Sequence, residues 1–288
     1  MIFLAGATGY TGKFVVDAFV SAGASVRCLA RETSRTGDLA RVGAAVVRGD
    51  LEHPEDLAAS LAGCEALVSA AHIRYAPALI RMCREAGVRR VVLLSSTWRF
   101  SRVRTPEVEA VVAGETAVET SGLEATVLRP TMIYGPGDDR NVSRMRAYLR
   151  QHRVMPIFGS GERLVQPVYV ADVADAVVSV IGRSGTVGRA YEVAGAHPMT
   201  YQEMVDALVR AVGRTVLKIY IPLFLAVPMI RLCGRVAGRL PVTVDQVRRM
   251  GEDRAFDISE AVRDFGFAPR GFEDGLREAM RLNGEDEV

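Results

Sequence analysis

Lysine is almost missing from this 288-residue chain: of its 36 basic side chains only Lys13 and Lys218 are lysines, and the rest are arginines. Cysteine is sparse as well. Cys28, Cys64, Cys83 and Cys233 are scattered without a C-x-x-C pair, which argues against a disulfide framework or structural metal and leads us to expect a reducing, cytoplasmic setting. The four histidines, His53, His72, His152 and His197, lack metal-ligand spacing, so no metal is expected. No secretory leader precedes the first strand-like run, and no apolar run reaches the ~20 residues that span a bilayer. Neither charge dominates. The net charge of +2 gives no sign of a nucleic-acid groove or an anionic membrane as the main partner.

What the chain does have begins at once. The strand-like run Ile2-Phe3-Leu4-Ala5 turns directly into Gly6-Ala7-Thr8-Gly9-Tyr10-Thr11-Gly12, a G-x-x-G-x-x-G spacing. An amphipathic stretch follows, with Phe14, Val15, Ala18, Phe19 and Ala22 on one helical face before Gly23. In such a unit the first glycine permits the tight turn, the second lets backbone approach a pyrophosphate, and the third lets helix and strand pack closely. Helix N–H groups and the helix dipole then face the phosphates. The loop is therefore expected to bind a dinucleotide.

Strand-like and helical runs alternate up to about residue 130. Strands are expected at Ile2–Ala5, Ser25–Ala30, Ala45–Arg48, Ala66–Ala70, Val91–Ser95 and Ala125–Arg129, with helices near 12–22, 37–43, 54–62, 76–86 and 107–121. Fully apolar strands such as Val91-Val92-Leu93-Leu94 imply a parallel sheet covered on both faces. The expected fold is thus α/β, a Rossmann-type doubly wound parallel sheet with a smaller C-terminal substrate lobe. Residues 1–134 form its dinucleotide-binding part. Val165–Val170 and a helix from about Asp172 return to it, within about 165–182, and 135–164 with 183–288 form the lobe. Ligands of such sheets sit at the carboxyl ends of the strands, which gathers the glycine loop, Ala70–His72, Ser95–Trp98 and Arg129–Gly135 around one crevice. Residues 219–230 are strongly apolar but interrupted by Pro222 and Pro228. They read as a packed helix or a greasy wall of the substrate cleft, with a peripheral membrane contact as the alternative. The acidic end, Gly284–Val288, is expected to fray.

Several markers recur in a fixed order: Gly6–Gly12; Gly49-Asp50-Leu51; Ala86-Gly87-Val88-Arg89-Arg90-Val91 into Ser95-Ser96; Leu128-Arg129-Pro130 through Tyr134-Gly135-Pro136-Gly137; Gln166-Pro167-Val168-Tyr169-Val170-Ala171-Asp172; and Phe265-Gly266-Phe267-Ala268-Pro269. With these the chain resembles, over nearly its whole length, the extended and atypical branches of the short-chain dehydrogenase/reductase superfamily. It is similar above all to the group around the nucleotide-binding accessory subunit of respiratory complex I. The resemblance implies a nicotinamide dinucleotide held by Gly6, Thr8, Gly9, Tyr10, Thr11 and Gly12, by Ala70, Ala71, Ser95 and Pro130 along the strand ends, and by Asp50 and Leu51 at the adenine. Asp50 can accept from the exocyclic amine while Leu51 packs on the ring, or it can simply cap a turn. Arg31, with Arg35, occupies the region where a 2′-phosphate would lie. This favours NADP(H) over NAD(H), although Glu32 stands beside it.

Conventional members of the superfamily use a Tyr-x-x-x-Lys pair, and none of the eight tyrosines here has a lysine four positions on. Glu107 and Val111 stand where that pair is expected. Val111 cannot replace an ammonium, and Glu107 next to Pro106 serves as readily as a first-turn charge. The remaining candidates for proton chemistry are Ser96, Tyr134 and His72, each with a plain alternative: a strand-end serine bonded to backbone, a core tyrosine, a loop histidine. Trp98 and Phe100 suggest an aromatic wall. Arg99, Arg102 and Arg104 would attract an anionic substrate or lie in solvent, and Tyr148 and His152 share a helical face. The expected function is an NAD(P)H-dependent reductase of a small apolar or quinone-like carbonyl compound, with a non-standard proton donor. A non-enzymatic dinucleotide-binding sensor or assembly subunit is the alternative. A sugar-nucleotide epimerase or dehydratase ranks third, because that chemistry leans on the missing tyrosine. Oligomeric state does not follow from the sequence.

Overall fold

Seven strands lie parallel in the spatial order 189–193, 124–130, 90–94, 66–69, 2–5, 26–30 and 45–48 of a computed structural model that describes residues 1–55, 57–236 and 243–285, with backbone alone for 232–236. The first half runs β1 (Ile2–Ala5), α1 (Tyr10–Ser21), β2 (Val26–Ala30), α2 (Gly37–Arg41), β3 (Ala45–Arg48), β4 (Ala66–Ser69), α3 (Ala76–Ala86), β5 (Arg90–Leu94), α4 (Pro106–Glu119) and β6 (Glu124–Pro130). The second half runs β7 (Ile133–Tyr134), α5 (Val142–Gln151), β8 (Val154–Phe158), β9 (Leu164–Val165), β10 (Val168–Tyr169), α6 (Val170–Ile181), β11 (Arg189–Val193), β12 (Met199–Thr200), α7 (Tyr201–Val212), β13 (Leu217–Ile221), α8 (Leu223–Val236), α9 (Val244–Arg249), α10 (Ser259–Phe265) and α11 (Phe272–Leu282).

The sheet divides its apolar side chains between two cores by the period-two alternation of a strand. Leu4, Val92 and Leu94 face one core with Val15 and Phe19 of α1 and Val173 and Val177 of α6. Phe3, Val91 and Leu93 face the other with Leu79 of α3 and Val111 and Val118 of α4. Burial on both faces is what continuous apolar strands require. The strand order reverses between β1 and β4, and that switch point is where a doubly wound sheet binds its ligand.

The structure departs from expectation in several places. Where a helix is expected at 54–62, the described residues form only a 3₁₀ turn at Ala58–Leu61, where the Ser60 hydroxyl bonds back to the Leu57 carbonyl. Val165–Val170 does not rejoin the main sheet: β9 pairs with β12 and β10 with β7, in two-residue ribbons. The seventh strand is β11, parallel to β6. Its alternating Arg189-Ala190-Tyr191-Glu192-Val193 lacks the apolar run of the other strands because it forms an edge of the sheet. The helix expected from Asp172 starts at Val170. Glu285 is not frayed, since its carboxylate accepts from Arg146 and Arg150; residues 286–288 lie outside the described residues, as does the side chain of Cys233. No described helix is long and apolar enough to cross a membrane.

Candidate functional site

The glycine loop closes β1 against α1 in the manner its spacing implies. Gly6 has φ +81°, and a Cβ there would stand 2.4 Å from the Ala71 backbone nitrogen. A Cβ on Gly12 would stand 2.0 Å from the Gly6 carbonyl oxygen, so only glycine lets the helix seat on the turn. Gly9 is exposed and is the N-cap of α1 with no side-chain cap, which leaves the first-turn N–H groups directed out of the loop beside half-buried Thr8 and Thr11. An uncapped helix start over a glycine turn, at the switch point of the sheet, is a cradle that fits a pyrophosphate. Tyr10 turns the other way. Its hydroxyl is buried without a hydrogen-bond partner, and a Cβ on Gly135 would lie 2.8 Å from it. Burial, and then the charge of Asp139, push that phenol above its ordinary range. Tyr10 thus packs the loop against residues 135–146, beside the buried Asp139 and Arg146.

On the adenine side, the Asp50 carboxylate accepts from the Glu52 N–H at 3.1 Å, the turn-cap role, through one oxygen. Leu51 packs partly on the second core. Glu52 accepts from Arg74 at 2.8 Å and from the Tyr75 hydroxyl at 2.6 Å, joining the turns after β3 and β4. Arg31 and Arg35 are exposed on the loop after β2. Arg48 holds that loop from beneath by donating to the Arg31 carbonyl at 2.8 Å and the Ser34 carbonyl at 3.2 Å.

Past the strand ends, a cleft of about 470 Å³ opens between the halves. Ser96, Thr97 and Trp98 line it after β5; Thr131, Met132 and Ile133 line it after β6. The opposite wall is Arg140, Asn141, Met145, Val165, Gln166, Gln246, Arg249, Met250 and Arg254. Among the described residues its charged lining is three arginines and no carboxylate. The Arg249 guanidinium lies 4.3 Å over the Trp98 ring. Arg254 Nε is buried without a hydrogen-bond partner, and burial holds the guanidinium below its ordinary pKa. Arg140 has φ +67°, in the left-handed region. The neighbouring Asp139 carboxylate collects the N–H groups of Gly135, Asn141 and Ser143 and so enforces that turn. A second cleft of about 370 Å³ shares Thr97, Trp98, Arg249 and Arg254 and adds Phe100, Arg102 and Glu252.

The proposed proton donors separate here. Ser96 lies in the larger cleft, and its oxygen accepts from the Trp98 N–H at 3.2 Å, which leaves the hydroxyl proton for another partner. Tyr134 is a correction: it is fully buried, packed on Tyr169 and Phe272, and its hydroxyl donates to the Phe272 carbonyl at 3.1 Å. His72 is exposed at the end of β4, away from the cleft lining. Its Nδ1 accepts from the Arg74 N–H, and burial and then Arg74 hold its pKa below the usual value. With Nδ1 accepting that N–H, only Nε2 is left to donate.

Ser95 is a second correction. Its hydroxyl bonds the Glu115 carboxylate, which is buried in α4 and also binds Arg129 at 2.7 Å and Arg99 at 3.0 Å. Arg129 reaches on to Glu192 of β11 at 3.0 Å. This network holds the end of β6 and absorbs Arg99, while Arg104 pairs with Glu109. Pro130 is buried; its carbonyl accepts from Thr97. Val111 is buried in the second core and Glu107 is exposed in the first turn of α4. Tyr148 and His152 stack with ring centroids 4.1 Å apart, both exposed. The greasy wall is a further correction: the cleft is lined not by residues 219–230 but by α9 and the turn after it. Sequence reasoning missed Arg249 and Arg254, which belong to no apolar or glycine pattern.

Residues 6–184 match the NAD(P)H-binding family. A 2-alkyl-3-oxoalkanoate reductase of Stenotrophomonas maltophilia is 25% identical, over 96% of this chain and 97% of its own. A (4-alkanoyl-5-oxo-2,5-dihydrofuran-3-yl)methyl phosphate reductase of Streptomyces griseus is 31% identical over 74% of each chain. The alpha subcomplex subunit 9 of mitochondrial NADH dehydrogenase from Arabidopsis thaliana is 25% identical over 70% of this chain and 56% of its own. In fold, a UDP-glucose 4-epimerase of Thermotoga maritima superposes with a TM-score of 0.77 at 20% identity, over 97% of both chains. The chain belongs to the NAD(P)H-binding family, and its fold is similar to that of a sugar-nucleotide epimerase.

Proposed function

We propose that the protein is an NAD(P)H-dependent reductase of a ketone on an apolar substrate that also carries an anionic group. The observation that carries this reading is the larger cleft: Ser96 at the strand ends, apolar walls from Met132, Ile133, Met145 and Met250, and three arginines with no carboxylate. The cofactor, when bound, supplies the hydride. Ser96 orients the substrate oxygen with its hydroxyl proton, and a cleft water supplies the proton that completes the alcohol. Arg249, held over Trp98, and Arg254, short of a partner at Nε, attract the anion. The names of two relatives support this, since both pair an alkyl or alkanoyl chain with a carboxylate or phosphate. NADP(H) is the favoured cofactor, because Arg48 braces the loop that presents Arg31 and Arg35. The test is NADPH oxidation against a panel of 3-oxo acids, quinones and neutral ketones. We expect turnover of anionic ketones, a loss of about 100-fold in kcat for Ser96→Ala, and little change for Tyr134→Phe. The second reading, a dinucleotide-binding subunit without turnover, is favoured by buried Val111 in place of a lysine. It prevails if the cofactor binds and no panel member is reduced.

A further inference from the structure

An uncovered apolar surface lies on the β8–β13 ribbon and α8. The two strands are parallel, in the register Val154↔Leu217, Pro156↔Ile219 and Phe158↔Ile221, so these six side chains share one face. Leu223, Ala226, Val227 and Ile230 of α8 cover the Phe158–Ile221 end of that face. The other end stays open, with Leu217 64% exposed. The helix itself is apolar on both sides. Its inner side meets Val244 and Val247 of α9, while Phe224, Leu225 and Met229 point outward, at 75%, 51% and 44% exposure. Single exposed apolar residues need no explanation, but a contiguous group does.

The sequence is basic here. Residues 207–244 contain six Arg or Lys and no Asp or Glu, in a chain whose overall charge nearly cancels, although Arg210 pairs with Glu273 and Lys218 with Asp206. Arg153 and Arg214 stand at the starts of the two strands, and Arg231 follows Ile230 on the helix; all three are exposed and have no ion-pair partner among the described residues. Arg214 donates only to a backbone carbonyl, that of Arg150.

We infer that this face docks on an anionic lipid bilayer, with Phe224, Leu225, Met229 and Leu217 entering the interface and Arg153, Arg214 and Arg231 meeting the headgroups. A second copy of the chain is the poorer occupant, because a twofold contact through this face would set like charges against each other. The surface also adjoins the cleft. Val244 and Val247 of α9 pack under α8, while Gln246 and Arg249 of the same helix line the cleft. An apolar substrate drawn from the bilayer would enter beside the docked helix, a consequence that rests on the proposed reaction; the docking itself does not.

Sedimentation of the full chain with vesicles tests the inference directly. Vesicles of phosphatidylcholine with about one-third phosphatidylglycerol should bind it at least about tenfold more tightly than phosphatidylcholine alone, and salt should weaken the binding. The double variant Phe224→Ser, Leu225→Ser and the charge variant Arg214→Glu, Arg231→Glu should each lose about tenfold. These side chains are exposed, and retained nucleotide binding would report that the fold is intact. Failure of the wild type to bind anionic vesicles, or equal binding by all variants, overturns the proposal. So does a dimer in sedimentation velocity that the Phe224→Ser, Leu225→Ser variant dissociates. None of these readouts depends on turnover, so docking and reaction succeed or fail separately.

Discussion

Ser96 and Tyr134 both carry hydroxyls just past the carboxyl ends of the sheet, yet their surroundings assign them different work. Ser96 borders the cleft with its proton uncommitted, whereas the Tyr134 proton is spent on the Phe272 carbonyl inside a ring cluster. Burial pushes the Tyr134 phenol well above its usual range, which makes it a weaker acid than an exposed tyrosine. Sequence cannot separate the two, because position along a strand end does not say which way a side chain points once two halves of a protein close over it. Arg31 is different: an exposed charge at the tip of β2 keeps its meaning whatever packs elsewhere. Arg31→Ala should weaken NADPH binding about tenfold, roughly one charge-assisted hydrogen bond, and leave NADH binding unchanged. Titration calorimetry with each nucleotide checks this, and equal losses would remove the 2′-phosphate reading.

Among the elements, α4 carries structural contacts along the face where the sequence expects a catalytic pair. Glu107, Val111 and Glu115 follow at four-residue intervals along one face. Val111 enters the core, and Gly114 lies so close to the turn after β4 that a Cβ would meet the Ile73 carbonyl at 2.4 Å. Glu115 then gathers Ser95, Arg99 and Arg129, tying the helix to β5 and β6. Removing one partner of a buried ion cluster leaves the other charges uncompensated. Glu115→Gln should therefore cost roughly 3 kcal/mol in urea unfolding. A loss below about 1 kcal/mol would mean that the network contributes little beyond its desolvation cost. Existence and type of α4 were legible from its period and from Pro106 at its start, but its depth was not. Burial of Glu115 depends on Arg129 and Arg99, which lie on other elements.

At the scale of the whole molecule, the second half joins the first through the shared apolar core, where Val173 and Val177 of α6 pack with Val15 and Phe19 of α1, and polar braces then fix the segments that border the clefts. Gln166 spans from the Gly195 carbonyl at 2.7 Å to the Phe256 N–H at 2.8 Å. Asp172 binds the N–H and guanidinium of Arg270. Glu252 accepts from the Ser101 hydroxyl at 2.8 Å and from the N–H groups of Arg102 and Val103, pinning the loop after β5 over the smaller cleft. Loss of that carboxylate frees three donors at once. In Glu252→Ala, the Arg102 and Val103 amides should lose hydrogen-exchange protection, and KM for the reduced substrate should rise more than kcat falls. Unchanged exchange would show that the loop is held by other contacts. The motif Gln166-Pro167-Val168-Tyr169 was visible in the sequence, but its use as a brace between the Gly195 and Phe256 segments was not.

The sequence by itself determined the nucleotide-binding half: the place of six parallel strands, the glycine turn between β1 and α1, and the lack of a Tyr-x-x-x-Lys pair. Those features rest on local rules, namely alternation along a strand, the conformational freedom of glycine and fixed spacing on a helix, which act over a dozen residues or fewer. Only the tertiary structure decided that Tyr134 is core, that Ser95 serves Glu115, that β11 closes the sheet edge, and that Arg249 and Arg254 charge the cleft. Each of these depends on contacts between residues from 20 to more than a hundred positions apart. No local spacing encodes such contacts; only the packing of one half against the other does.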